Sequence, residues 1–141
     1  MFYTPQNIIK EISTSTVVMR LLDTGIIHYS YFPNVDVDAE HHIENHNALV
    51  ELAGETKYPI LVDAAEIVNI TNKGREKIKE LELAGPTLVR AFVTRSIGHK
   101  LLIGFYMRVN KSNIENKMFS NYEEAVEWLM EKKNKELVLE N

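Results

Sequence analysis

The chain has 141 residues, a length that fits one domain with a core large enough to fold without disulfide staples. It contains no cysteine, which excludes disulfides, thiol catalysis and cysteine-ligated metal, and its 45% apolar and 26% charged residues exclude a disordered chain. The net charge of −4 argues against a generic binder of nucleic acid or acidic membranes.

Met1 to Ser15 lacks the basic start and apolar stretch of a signal peptide, although Ile8 to Ile12 can form an early strand. Thr16 to Leu22 and Ile26 to Phe32 read as two strands rich in β-branched and aromatic residues, joined by the turn chemistry of Asp23-Thr24-Gly25. Asp36, Asp38 and Glu40 place acid at a helix start, with Asp38 able to cap. The helix is expected to run to about Ala53 and stop at Gly54, burying Ile43, His46, Val50 and Ala53.

Tyr58 to Ala64 contains Ile60-Leu61-Val62, the continuous apolar run of a strand buried on both faces. Thr71 or Asn72 can cap a second helix carrying Gly74, Ile78 and Leu81, which Gly85-Pro86 stops. Leu88 to Thr94 is the next strand. Ile97 to Val109 is open to either reading by composition, but the i, i+4 row of Lys100, Gly104 and Arg108 favours helix. Lys117 to Phe119 can make a short edge strand. Ser120 and Glu123 form a capping box for a last helix through Leu129.

This order predicts a single open mixed α/β sheet, an N-terminal hairpin followed by right-handed β-α crossovers. Residues 1–131 form one domain, and 132–141 a polar tail expected to fray. The longest apolar run, Leu101 to Met107, falls far short of the ~20 residues of a membrane span. A cytoplasmic location is the expectation.

Charge is segregated along the chain. Met1 to Pro86 holds 13 acids against 7 bases, a net of −6; Thr87 to Lys117 holds one acid and six bases, a net of +5. Met118 to Asn141 returns to −3, with six acids and three bases. The basic block can either form an anion site with Arg95 or pair with surplus acids elsewhere.

Catalytic motifs are scarce. There is no Gly-x-Ser-x-Gly elbow, phosphate loop or dinucleotide motif, and Ser96 with His99 lacks a neighbouring acid. His42 and His46 stand one turn apart with Asp38, so a surface metal site is geometrically open; a satisfied, partly buried His46 is the commoner outcome. Asp63, ending a buried strand, is the best single acid, as a site residue or as a cap for the following turn. The later aromatics, Phe105, Tyr106, Phe119, Tyr122 and Trp128, fit helix and core packing better than a base-stacking platform. No catalytic residue, metal site or cofactor is assigned.

Ile60-Leu-Val-Asp-Ala-Ala-Glu-Ile-Val-Asn-Ile-Thr-Asn-Lys-Gly74 resembles the central motif of the STAS family, with an apolar strand, an Asp and a loop ending in a helix-opening Gly. Pro86-Thr-Leu-Val-Arg-Ala-Phe-Val-Thr-Arg95 is similar to the family's next strand. Met118-Phe-Ser-Asn-Tyr-Glu-Glu-Ala-Val-Glu-Trp-Leu129 resembles the last helix of its small SpoIIAA-like members of STAS/SEC14 type. The likeness spans about Thr16 to Leu129.

The resemblance implies a non-catalytic regulatory domain that engages a protein partner or a small anionic or lipid-like ligand, with a homodimer also open. In antagonist members a Ser before the loop Gly accepts phosphate; here that position is Lys73, which cannot form the phosphoester. What carries over is a location: Asp63, Thr71, Asn72, Lys73 and Arg95 around the loop and the following helix start. The competing readings are an enzyme with a cleft around Asp63, or a scaffold that self-associates through Leu101 to Met107.

Overall fold

A computed structural model of the chain describes Pro5 and residues 7–63, 67–82, 85–109 and 114–140. Its elements follow in chain order: β1 (Ile8–Ser13), β2 (Val17–Leu22), β3 (Ile27–Tyr31), β4 (Val35–Val37), α1 (Ala39–Ala53) and β5 (Tyr58–Asp63). They continue with β6 (Ile67–Ile70), α2 (Asn72–Glu82), β7 (Thr87–Val93), α3 (Ile97–Val109), β8 (Glu115–Phe119) and α4 (Tyr122–Glu140).

Six strands form one open sheet in the order β1-β2-β3-β5-β7-β8. The β1–β2 and β2–β3 pairs are antiparallel, and every later pair is parallel. This is the expected mixed sheet with its entry hairpin. The β2–β3 turn passes through Gly25 at φ 82°, a left-handed conformation that glycine adopts without strain.

Strand alternation divides the core in two. Ile27, Tyr29, Tyr31, Ile60, Val62 and Phe92 face one side, where α1 supplies Ala48, Leu49 and Leu52 and α3 supplies Ile103. Leu61, Val89, Ala91 and Val93 face the other side, where Ala125 and Leu129 of α4 cover them. Burial on both faces is why Ile60-Leu61-Val62 of β5 reads as an unbroken apolar run and β7 as one interrupted by Arg90.

The Asp63–Gly74 stretch, read from sequence as a loop, contains β6, which pairs in parallel with β4 as a separate two-stranded sheet. Three- and four-residue strands carry too few alternations to announce themselves, and a parallel partner lies far away in sequence. A second difference concerns α1. Ile43 and Val50, expected in the core, are each 42% exposed, while His42, Asn45, Ala48, Leu49 and Leu52 are buried.

The buried stripe includes two polar residues, which a hydrophobicity reading rejects. Asn45 is accommodated because its amide nitrogen donates to Thr16 Oγ1 at 3.0 Å and its Oδ1 accepts from Thr14 Oγ1 at 2.6 Å. One residue earlier, Glu44 accepts from the Ser15 backbone and hydroxyl, so the β1–β2 turn is tied to α1.

At the other end, Asn121 rather than Ser120 caps α4, accepting from Glu124 N at 2.9 Å. The helix then runs through Glu140, across the segment expected to fray. Lys132 pairs with Glu115 of β8 and Lys133 donates to the Thr24 carbonyl, which ties the middle of the helix to β8 and to the β2–β3 turn. Glu131 and Lys135 add an i, i+4 pair.

Gly74 sits in the first turn of α2 against β4. A Cβ there would stand 2.7 Å from the Val37 carbonyl oxygen, a backbone atom that cannot swing aside. Gly74→Ala is therefore expected to cost about 1–3 kcal/mol through overpacking, opposite in sign to the gain of about 1 kcal/mol that alanine usually brings to a helix. Urea unfolding of the variant reads the sign directly.

Candidate functional site

The first turns of α1 and α2 are joined through their caps. Asp38 caps α1: its Oδ1 accepts from Ala39 N at 2.8 Å, and the Asp38 N–H donates to His41 Nδ1 at 2.9 Å. Thr71 caps α2, its hydroxyl oxygen accepting from Gly74 N at 3.0 Å. The Thr71 hydroxyl then donates to Asp38 Oδ1 at 2.6 Å, and Thr71 N donates to the Val37 carbonyl at 3.0 Å. The bonds from Thr71 and Ala39 hold the Asp38 carboxyl below its ordinary pKa.

Two helices that start side by side on one face of the sheet enclose a pocket of about 80 Å³, partly open to solvent. Tyr29, Tyr31, Ile60, Val62 and Phe92 form its floor on the sheet. His42, Asn45, His46 and Leu49 of α1 form one wall, Ile78 and Leu81 of α2 another, and Ile103 of α3 closes the far side. The walls are mainly apolar, with a few polar tips.

The charged lining consists of Arg90 and Glu82, which contact one another as a buried ion pair; Arg90 Nε also donates to Asn116 Oδ1 at 3.0 Å. Their charges offset. Neither the Tyr29 nor the Tyr31 hydroxyl is hydrogen-bonded to another described residue, and burial pushes both phenols up, Tyr31 to about 12. His42 is 5% exposed, and its Nε2 has no hydrogen-bond partner among the described residues. Burial, reinforced by Arg90 and His41 against the opposing pull of Asp38, lowers its pKa to about 4. It stands in the pocket as a neutral imidazole.

On the opposite face, Asp63 ends β5 with its carboxylate 5% exposed. Its Oδ2 accepts from Arg95 Nη2 and from the Tyr122 hydroxyl, each at 2.9 Å. Arg95 Nη2 also donates to the Tyr122 oxygen at 2.6 Å. Burial is the main reason the Tyr122 pKa is raised. The cluster ties the ends of β5 and β7 to the first residue of α4.

The five residues singled out from sequence therefore fall into two groups. Asp63 and Arg95 pair with each other at the ends of β5 and β7. Thr71 belongs with Asp38 at the helix caps, and Asn72 and Lys73 are exposed on the first turn of α2. Sequence reasoning assigned Tyr122 to packing and left Tyr29, Tyr31, Glu82 and Arg90 out of any site. The period-two alternation of β3 was their available signal, since it sets Tyr29 and Tyr31 on one face. His42, considered as a surface metal ligand, lies inside the pocket with His46; the Asp38 carboxylate is engaged by the caps. Among the described residues no three His, Asp or Glu side chains are grouped so as to hold a metal ion.

The sheet order, the entry hairpin and the helical covering define a STAS/SpoIIAA-like fold. A solved structure supports this: an uncharacterised protein of the DUF3478 family from Shewanella loihica PV-4, itself described as having a SpoIIAA-like fold. The two are 14% identical, with a TM-score of 0.52 over 92% of this chain and 98% of that one. The chain belongs to the family described as Domain of unknown function (DUF7793), whose model matches residues 20–133. No protein of curated function is matched.

The pocket histidine has a counterpart across the sheet: His28, 2% exposed, is also lowered to about 4, by burial first and by Arg20, with Asp63 opposing. Unfolded, both imidazoles take a proton near pH 6.5; folded, only near pH 4. Their contribution to stability is complete above pH 6.5 and lost as pH falls toward 4. At ~1.4 kcal/mol per pKa unit, the pair should remove several kcal/mol across that window. Urea unfolding at pH 7.5 and pH 5 tests this, and His42→Leu should remove about half of the dependence, leaving the part due to His28.

Proposed function

We propose that this chain is a non-catalytic STAS-like binding domain, and that the pocket between α1, α2, α3 and the sheet is where it holds its ligand. The observation that carries this reading is a concave, largely apolar recess whose lining includes Tyr29, Tyr31 and His42. Small-molecule sites are typically built this way: apolar walls supply the affinity and a few placed polar groups fix orientation. The balance of Arg90 and Glu82, together with a neutral His42, leaves no surplus positive charge for an anion. The ligand class that fits is a small uncharged molecule with an apolar body and one hydrogen-bonding end.

In this reading Asp63 and Arg95 act as a strut with Tyr122 rather than as a reacting acid and its partner. Thr71 sets the spacing of α1 and α2, and the exposed Asn72 and Lys73 offer a polar face to a protein partner that senses that spacing. A small shift between the helices on ligand entry would give the domain its regulatory output.

Thermal unfolding with benzyl alcohol and hexanol as neutral probes, and hexanoate as the charged comparison, tests the pocket. The neutral probes should raise the melting temperature in a saturable way, approaching about 2.7 kcal/mol of stabilisation at a hundredfold excess over Kd. Hexanoate should have a weaker effect. Ile78→Trp, which adds bulk to the α2 wall of the pocket, should abolish the response while leaving the circular dichroism spectrum intact. Equal responses in wild type and Ile78→Trp, or none in either, would remove the pocket from the account.

A further inference from the structure

The face of α3 turned away from the pocket is apolar and uncovered. Ile97, Leu101 and Phe105, spaced by four residues, form one row and are 79%, 65% and 50% exposed. Leu102 flanks the row at 37% exposure. Ile103, two residues on from Leu101 and so nearly opposite on the helix, anchors α3 to the core at 2% exposure. Met107 also packs against the core, yet leaving four large apolar side chains this exposed is unusual for a helix at the surface of a monomer.

The charges on α3 itself all have one sign. Lys100 and Arg108 stand three residues on from Ile97 and Phe105, in the neighbouring row, and both are exposed. Not one Asp or Glu occurs in sequence between Glu82 and Glu115. On β8, against which α3 packs, Lys117 is exposed and Glu115 is already paired with Lys132. The chain as a whole carries −4, so this cationic surround is local and runs against the overall balance.

We propose that α3 is a peripheral docking surface for an anionic lipid bilayer, with Ile97, Leu101 and Phe105 entering the headgroup–acyl boundary and Lys100 and Arg108 meeting lipid phosphates. An interfacial helix combines these two elements: an apolar row for burial and flanking cations for attraction to anionic headgroups. A second copy of the same face is a poorer occupant, because it would bring Lys100 and Arg108 against their own equivalents with no acid on the helix to offset them. The surface is distinct from the pocket, so filling the pocket with Ile78→Trp should leave docking unchanged.

Flotation of the full chain with vesicles tests the proposal, comparing phosphatidylcholine alone with phosphatidylcholine containing one third phosphatidylglycerol. The protein should float with the anionic vesicles at low salt, much less at high salt, and not with the neutral ones. Lys100→Glu with Arg108→Glu should lower the partition coefficient by about tenfold or more, and Leu101→Asp by a comparable factor. Val138→Asp, at an exposed apolar position on α4, should change nothing. Since all these positions are exposed, circular dichroism and melting temperature should stay near wild type. The proposal fails if neutral and anionic vesicles bind equally or neither binds. It fails equally if light scattering shows a dimer that Leu101→Asp dissolves.

Discussion

The hydrogen bond from the Thr71 hydroxyl to the Asp38 carboxylate is the contact on which the helical layer depends. Each residue already satisfies donors at the start of its own helix, and the bond between them makes the two caps one unit. The close approach is possible because Gly74 has no side chain to meet the Val37 carbonyl. Parallel pairing of β4 with β6 places the two caps side by side before either helix begins. From that common origin α1 and α2 run over the same face of the sheet, and the space they leave beneath them is the pocket.

The two faces of the sheet divide the labour. On the α4 face the core closes around Leu61, Ala91 and Leu129, and Asp63, Arg95 and Tyr122 hydrogen-bond one another at its edge. On the other face, bulky phenols and an imidazole stand where aliphatic side chains would have packed. Tyrosine brings an apolar ring with a polar tip, so a pocket floored by Tyr29 and Tyr31 is sheltered yet able to hydrogen-bond. Both arrangements come from period-two alternation along adjacent strands, which sends Ile60 and Val62 one way and Leu61 and Asp63 the other.

Much of this was legible in the sequence where the signal was local and repeated. The run Ile60-Leu61-Val62 marks a strand covered on both sides, Asp23-Thr24-Gly25 marks the hairpin, and the spacing of Lys100, Gly104 and Arg108 marks α3. What stayed hidden depends on partners distant in the chain. His42 and Asn45 look like surface residues until Thr14 and Thr16 of the first hairpin satisfy Asn45 and the sheet encloses His42. Tyr122 meets Asp63 only because α4 returns across β5 and β7. Val35–Val37 and Ile67–Ile70 are too short to declare themselves as strands, yet they align the two helix caps. The polar sequence from Lys132 onward suggests a frayed end, yet the helix runs through Glu140, with Lys132 and Lys133 at the start of that stretch tied to Glu115 and the Thr24 carbonyl.

The central claim is that Asp38 and Thr71 act as one capping unit. A double-mutant cycle with Asp38→Ala, Thr71→Val and the combined variant, read by urea unfolding at neutral pH, tests it most directly. The double variant should be clearly less destabilised than the sum of the two single variants, because either change alone breaks the shared bond. Strictly additive losses would show two independent caps and would contradict the account.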